Sequence, residues 1–248
     1  MTNNFDEISY WEERLKKAKS SLKGVGHKGF SEYANSLMYK RTREVLNKIL
    51  DDLAINLKNK SVLDAGAGIG AFIDEYQKRG AKVTAVDISD TATKILKKNY
   101  PKVITKISPL ETLTFSPKKT FYIVHCFDVL YHITDSKMWV KSVKNLAKLS
   151  KKYVFIHSYA ERWDNYLEPH HVEVDRKTTL KKVLKGEGFK LIATYPTHIL
   201  FLKTPVHLVS RYFPDLFYSL DSILLNTLKV KGLETVHIEV FERVGVKN

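Results

Sequence analysis

The chain has 248 residues, enough for one sizeable α/β domain with roughly eighty residues left for additions. No apolar run is long enough to span a bilayer, the polar N-terminus lacks a signal-peptide core, and one cysteine excludes an intrachain disulfide. The net charge is +14, but lysines recur along almost every predicted helix, which reads as solvated helix faces rather than a nucleic-acid footprint.

In chain order, residues 1–57 come first and read as helical. Tyr10–Ala18 is an amphipathic helix candidate, Gly24–Gly29 is looser, and Tyr33–Leu57 is helical again with apolar Leu37, Val45, Leu46, Ile49, Leu50 and Leu53. Val62-Leu63 reads as the end of a buried parallel strand, and Gly66, Gly68 and Gly70 allow a tight turn. Ala71–Arg79 follows as a helix with Phe72, Ile73 and Tyr76 on one face and Gly80 at its C-terminal cap. A second strand, Lys82–Val86, ends in Asp87, placed to accept hydrogen bonds from ribose hydroxyls.

Ser89 or Asp90 caps a helix running to Asn99, with Pro101 enforcing its end. Val103–Ile107 is the third strand and Phe121–Cys126 the fourth, where Cys126 is a small core residue rather than a nucleophile. Asp135 or Ser136 caps the next helix, whose Met138, Trp139, Val143, Leu146 and Leu149 recur at helical spacing, so Trp139 belongs to the core. Tyr153–His157 is the fifth strand. Thr178–Glu187 is a helix with Leu180, Val183 and Leu184 inward and Gly188 closing it. Phe189–Thr194 and Val236–Phe241 are the sixth and seventh strands. Between them lies a long apolar piece cut into short helices by Pro196, Pro205 and Pro214.

The glycine spacing is Asp64-x-Gly66-x-Gly68-x-Gly70, not the G-x-G-x-x-G of dinucleotide binders. This pattern resembles motif I of the class I S-adenosylmethionine-dependent methyltransferases. Val83–Ser89 is similar to the family's acidic second motif. Phe127-Asp-Val-Leu-Tyr-His-Ile133 resembles the segment after the fourth strand in many small-molecule members. The resemblance covers roughly residues 45–195 plus the last strand. It implies an α/β fold, a doubly wound, mostly parallel sheet of seven strands, with N-terminal helices and a helical insertion before the last strand. The division it suggests is a 1–57 lid, a 58–195 cofactor-binding core, a 196–235 insertion and a 236–248 final strand.

The same resemblance implies S-adenosylmethionine as cofactor and gives residues roles toward it. Gly66, Ala67 and Gly68 let the backbone approach its methionine and ribose portions. Asp64 orders the loop and reaches the amino group directly or through water. Asp87 holds the ribose, Ile88 flanks the adenine, and the Phe127 carbonyl lies near the amino group. The chain departs from the family in two places: Tyr122 replaces the usual Asp, and Ser108-Pro-Leu-Glu-Thr112 lacks the acid that meets the adenine. Ser108 or the backbone of Leu110 and Glu111 takes that contact over. In the N-terminal extension, Tyr10, Trp11, Arg14, His27, Tyr33, Tyr39 and Arg43 are candidates either for lid and substrate contacts or for plain packing.

A hydroxyl acceptor needs a general base, whereas an amine with a free lone pair does not. His132 is the first candidate, followed by His157, His170 and His171; four histidines near one edge favour oxygen over nitrogen. Tyr159 and the Glu161–His171 loop, rich in aromatic and ionisable residues, form a substrate-site candidate. No metal is expected, because adjacent His170 and His171 cannot easily face one ion and nothing completes a site. The 196–235 insertion is read first as a cap over the substrate pocket, then as a dimer face, then as a peripheral membrane contact. The expected function is a cytoplasmic methyltransferase acting on a small molecule. Its rivals are an RNA or protein methyltransferase using the basic surface, though no zinc-finger, KH-type or RNP-type signature appears, and a non-catalytic cofactor-binding module.

Overall fold

The computed structural model describes residues 6–116, 119–159, 176–202, 206–227 and 236–245. Seven strands form one sheet in the order β3-β2-β1-β4-β5-β7-β6. They are β1 (Ser61–Ala65), β2 (Lys82–Asp87), β3 (Ile104–Ile107), β4 (Phe121–Cys126), β5 (Ser150–Tyr159), β6 (Phe189–His198) and β7 (Val236–Arg243). β7 runs antiparallel to β5 and β6, and the other pairings are parallel. Strand order reverses between β1 and β4, so the crevice beyond their carboxyl ends is the ligand position of a doubly wound sheet.

The helices are α1 (Glu7–Ala18), α2 (Glu32–Asp52), α3 (Ile73–Lys78), α4 (Asp90–Asn99), α5 (Ser136–Leu149), α6 (Arg176–Gly186), α7 (His207–Ser210) and α8 (Pro214–Ser222). Where two caps were open, side chains decide: Ser89 accepts from Ala92 N on α4, and Asp135 accepts from Met138 N on α5. One core cluster joins α2 and α3 to the sheet through Leu46, Ile49, Phe72, Tyr76, Ile123 and Phe155. The cluster on the other face holds Trp139, Val143 and Leu146 of α5 together with Cys126 and Phe241. Both Trp139 and Cys126 are buried there, as the periodicity predicts.

Several boundaries move. α2 stops at Asp52 rather than Leu57, because Ala54 takes a left-handed φ of +49° and the chain closes in a Schellman pattern. Ile55 N donates to Leu50 O (2.8 Å) and Ala54 N to Asp51 O (2.9 Å). Leu53, Ile55 and Leu57 continue the apolar pattern because the segment after the helix still packs on the core. β5 starts three residues before the expected Tyr153, at Ser150. β6 runs through Pro196 to His198, so the insertion begins later than residue 196. Pro196 is tolerated because β6 is an edge strand and its register shifts there.

Within the insertion, α8 packs on α2. Arg41 donates to Tyr218 O (3.1 Å) and Tyr33 to Asp215, while Leu208, Val209, Tyr212, Phe213, Leu216 and Ile223 are exposed. No helix among the described residues is long and apolar enough to cross a membrane.

Candidate active site

The turn after β1 is built for close approach. Gly66 and Gly68 have φ of +83° and +53°, and a Cβ added to them would stand 2.1 Å from Val129 Cγ2 and 2.7 Å from Val25 Cγ1. Only glycine accepts both the conformation and the contact. Beside this turn, Asp87 closes β2. Its carboxylate accepts from Gly68 N (2.8 Å) and Ser89 N (2.9 Å), which ties the two motifs together. Burial raises the Asp87 pKa, against the lowering by the Ser89, Gly68 and Ile88 amides.

These elements wall an open cavity of about 900 Å³ counted out through its mouth into solvent. Gly66, Ala67, Gly68, Asp87, Ile88, Ser108, Leu110 and Phe127 line it, and so do Trp11, Tyr39 and His132. Sequence spacing therefore brings most of the expected site together. It also misses wall residues: Glu7, Leu15 and Val25 from the N-terminal segment, and Asp128 and Val129 after β4. The one sequence signal for Asp128 is a carboxylate set between apolar Phe127 and Val129; Val25 carries none.

The N-terminal segment reaches the cavity because α1 (Glu7–Ala18) is docked at its first residue and at its middle. Glu12 accepts from Ser89 Oγ (2.5 Å), Thr91 N (3.1 Å) and Thr91 Oγ1 (2.6 Å), and Glu7 accepts from Thr134 N (3.1 Å). Trp11 meets the His132 ring edge-on at 4.8 Å. Tyr39 donates to Val25 O at 3.1 Å, steadying the segment that covers Gly68.

Other expected residues stand elsewhere. Arg14 and Tyr10 are not among the wall residues; Arg14 donates to Lys23 O (3.0 Å), to Gly26 O and to the Tyr10 hydroxyl (3.4 Å). Arg43 donates to Ala71 O at 3.5 Å, Tyr33 is exposed beside Asp215, and the His27 ring lies against Phe30 and His207. His157 does not line the cavity: it is buried with Nδ1 2.9 Å from Asp128 Oδ1 and Nε2 3.1 Å from Thr197 Oγ1. The backbone of Tyr159 ends β5, and His170, His171 and the rest of the Glu161–His171 loop lie outside the described residues.

Asp64 does not line the cavity either. It is buried under the glycine turn, with Oδ1 3.3 Å from His125 Nε2, while His125 Nδ1 lies 2.9 Å from the Tyr76 hydroxyl. Burial, reinforced by the Asp87 charge, pushes the Asp64 pKa up to about 8. Burial, with the neighbouring His157, pushes His125 down to about 3. The pair is therefore neutral near pH 7. Asp64 Oδ2 is buried with no hydrogen-bond partner among the described residues. An unsatisfied acceptor under a glycine cradle, beside a cavity edged by the Asp87 carboxylate, fits a ligand with an ammonium group and ribose hydroxyls. The residues fit S-adenosylmethionine.

Residues 8–194 match the methyltransferase domain family. The chain belongs to the class I S-adenosylmethionine-dependent methyltransferases. Among curated relatives, the ubiquinone biosynthesis O-methyltransferase of Nitrosomonas europaea is 28% identical over 122 residues, 48% of this chain and 52% of that protein. Its namesake in Nitrosospira multiformis is 32% identical over 101 residues, 39% of this chain and 42% of that one. The chain thus spans about half the length of the curated relatives it matches. Magnesium protoporphyrin IX methyltransferase from Synechocystis PCC 6803 superposes with a TM-score of 0.64 at 16% identity, covering 98% of this chain and 100% of that one. At that identity the likeness concerns the fold.

Proposed function

We propose that this chain moves a methyl group from S-adenosylmethionine to an oxygen of a small-molecule acceptor. The observation that carries the reading is that His132 faces the same cavity as Gly66, Gly68 and Asp87. The bound cofactor supplies a methyl group already activated on a sulfonium, so the protein's share is binding, positioning and proton removal. Asp87 accepts from the ribose hydroxyls, the Gly66–Gly68 backbone lies along the amino-acid portion, and Ser108 and Leu110 edge the adenine. The Phe127 carbonyl meets the amino group, and Asp64, buried under the glycine turn and off the cavity wall, orders the loop. Residues 1–57 act as a lid that excludes water through Trp11, Leu15 and Val25. The 58–195 core and the final strand carry the cofactor, and the insertion caps the acceptor side.

His132 takes the acceptor's proton, freeing an oxygen lone pair. His157 is not placed for that step, because it stands behind Asp128 rather than on the wall. Two curated relatives named as O-methyltransferases support oxygen over nitrogen. Incubation with methyl-labelled S-adenosylmethionine and a panel of small phenols and amines tests the reading. Label on phenolic oxygen is expected; label only on nitrogen, or no affinity for the cofactor by calorimetry, rejects it.

A further inference from the structure

We propose that the outer face of the insertion, around the corner between α7 and α8, docks this protein on an anionic lipid bilayer. The inference is independent of the oxygen-acceptor reading, because the residues that form this face stand outside the cavity wall.

α8 is apolar on two sides. Asp221 is buried, and Phe217 and Tyr218 pack against the cluster of Phe30, Leu37 and Phe201, which defines the inward side. Leu216 and Ile223, two helical turns apart on one line, are exposed on the other side. Leu208, Val209, Tyr212 and Phe213 extend that patch across the corner, with Tyr212 67% and Phe213 58% exposed. A surface helix needs only its inward stripe, so the outward one calls for a partner outside the chain.

The corner itself is fixed. Tyr212 N and Phe213 N both donate to Val209 O, at 3.0 and 3.3 Å, and Phe217 N donates to Phe213 O at 3.2 Å. Beneath it, Ser210 Oγ donates to Phe201 O at 2.8 Å. Both rings are therefore carried on an ordered backbone, which lowers the entropy lost when they insert.

Charge decides which partner the patch fits. Arg211 donates to the Tyr212 hydroxyl (2.8 Å) with its guanidinium 4.6 Å from that ring, and Lys40 Nζ lies 5.1 Å from the Tyr218 ring. The neighbouring carboxylates are engaged within the chain. Asp215 accepts from Tyr33, and Glu44 accepts from Tyr218 (2.5 Å) and Arg41 (3.0 Å). Aromatic and aliphatic surface edged by cations, on a chain of net charge +14, matches the headgroup boundary of an anionic membrane. Rings lie at that boundary and a guanidinium reaches the lipid phosphates. A second copy would set the same cations against each other across a two-fold contact.

The test is co-sedimentation of the full chain with vesicles of phosphatidylcholine and phosphatidylglycerol, with phosphatidylcholine alone as the control. Wild type is expected to partition onto the mixed vesicles at least about tenfold more strongly than onto the control, and high salt to remove the preference. Tyr212→Ser combined with Phe213→Ser weakens partitioning at least about tenfold. Arg211→Gln weakens it about fivefold on the mixed vesicles and less than about twofold on the control. S-adenosylhomocysteine affinity stays within about twofold of wild type in every variant, because the changed side chains are exposed and off the cavity wall.

Equal partitioning of wild type onto both vesicle types, or none onto either, overturns the inference, as does partitioning that the double variant leaves unchanged. A wild-type dimer in analytical ultracentrifugation that the double variant dissociates also overturns it, by giving the face to a second copy. If the double variant loses S-adenosylhomocysteine affinity as well, Arg211→Gln decides alone, and unchanged partitioning in that variant rejects the lipid surface.

Discussion

Glu12 of α1 and Thr91 of α4 lock the N-terminal helix to the sheet domain: the Thr91 hydroxyl and amide both donate to the Glu12 carboxylate, at 2.6 and 3.1 Å. Burial raises the Glu12 pKa, but the bonds from Ser89 and Thr91 outweigh it and hold the carboxyl at about 2, below the 4.5 of a free glutamate. The latch is therefore complete above about pH 4.5 and is lost as pH falls toward 2. Because α1 covers the cavity, Glu12→Gln should raise the cofactor dissociation rate about tenfold, the scale of lost charge-assisted bonds, with little change in global stability. Stopped-flow dissociation and hydrogen exchange over residues 7–18 measure this. An unchanged rate would show that α1 is not the gate.

Asp87 already receives two backbone amides, so the variant that isolates its ligand role must keep the glycine turn in place. Gly68 and Ser89 donate to separate oxygens of Asp87, so Asp87→Asn keeps one of the two bonds and Asp87→Ala keeps neither. The expected outcome is a loss of S-adenosylmethionine affinity of at least about tenfold for Ala, with a smaller loss for Asn. Calorimetry checks it, and equal affinities in all three proteins would remove Asp87 from the cofactor.

Why the cofactor half of the site could be read from spacing is a matter of locality. The strand, the Gly66–Gly70 turn and the Asp87 strand end are each set by neighbouring residues, and the β1–β2 pairing brings them together. The acceptor half depends on contacts across long stretches of chain. Glu12 meets Thr91 across 79 residues, and His157 meets Thr197 across 40; no periodicity encodes either. The helix end at Ala54 was hidden because alanine stands where glycine usually signals a left-handed cap. The reach of β6 past Pro196 was hidden because proline breaks a central strand but not an edge.

Asp64 and His125 give the fold pH dependences of opposite sign, over windows that overlap between about pH 3.8 and 6.5. The folded-state pKa of Asp64, about 8, lies above its free value of 3.8. Its contribution is whole below about pH 3.8 and is lost as pH rises through 8. For His125, about 3 against 6.5, the contribution is whole above 6.5 and is lost as pH falls through 3. Asp64→Asn keeps the neutral shape and removes the first titration. The unfolding free energy of this variant, from urea titration, should fall less between pH 5 and 8 than that of wild type, by at least about 1 kcal/mol. Parallel curves would mean that Asp64 is ionised at pH 7.

Asp221 carries the join between the sheet edge and the insertion. It is buried on α8, and its carboxylate accepts from Leu200 N at 2.7 Å and from Ile199 N and Phe201 N at 3.3 Å each. Those three amides follow directly on β6, and Ile199, Phe201 and Leu202 are buried beside them. Phe201 and Leu202 pack against Phe30, Ala34 and Leu37 of the N-terminal segment. Asp221→Ala leaves three buried N–H groups unpaired and should destabilise the protein by about 3 kcal/mol, with Asp221→Asn, which retains one oxygen, at roughly half that. Urea unfolding gives the numbers. Because Asp221 is not among the cavity wall residues, cofactor affinity in the Asn variant should stay within about twofold of wild type. A larger fall in affinity than in stability would tie the insertion to the cofactor instead of to the fold.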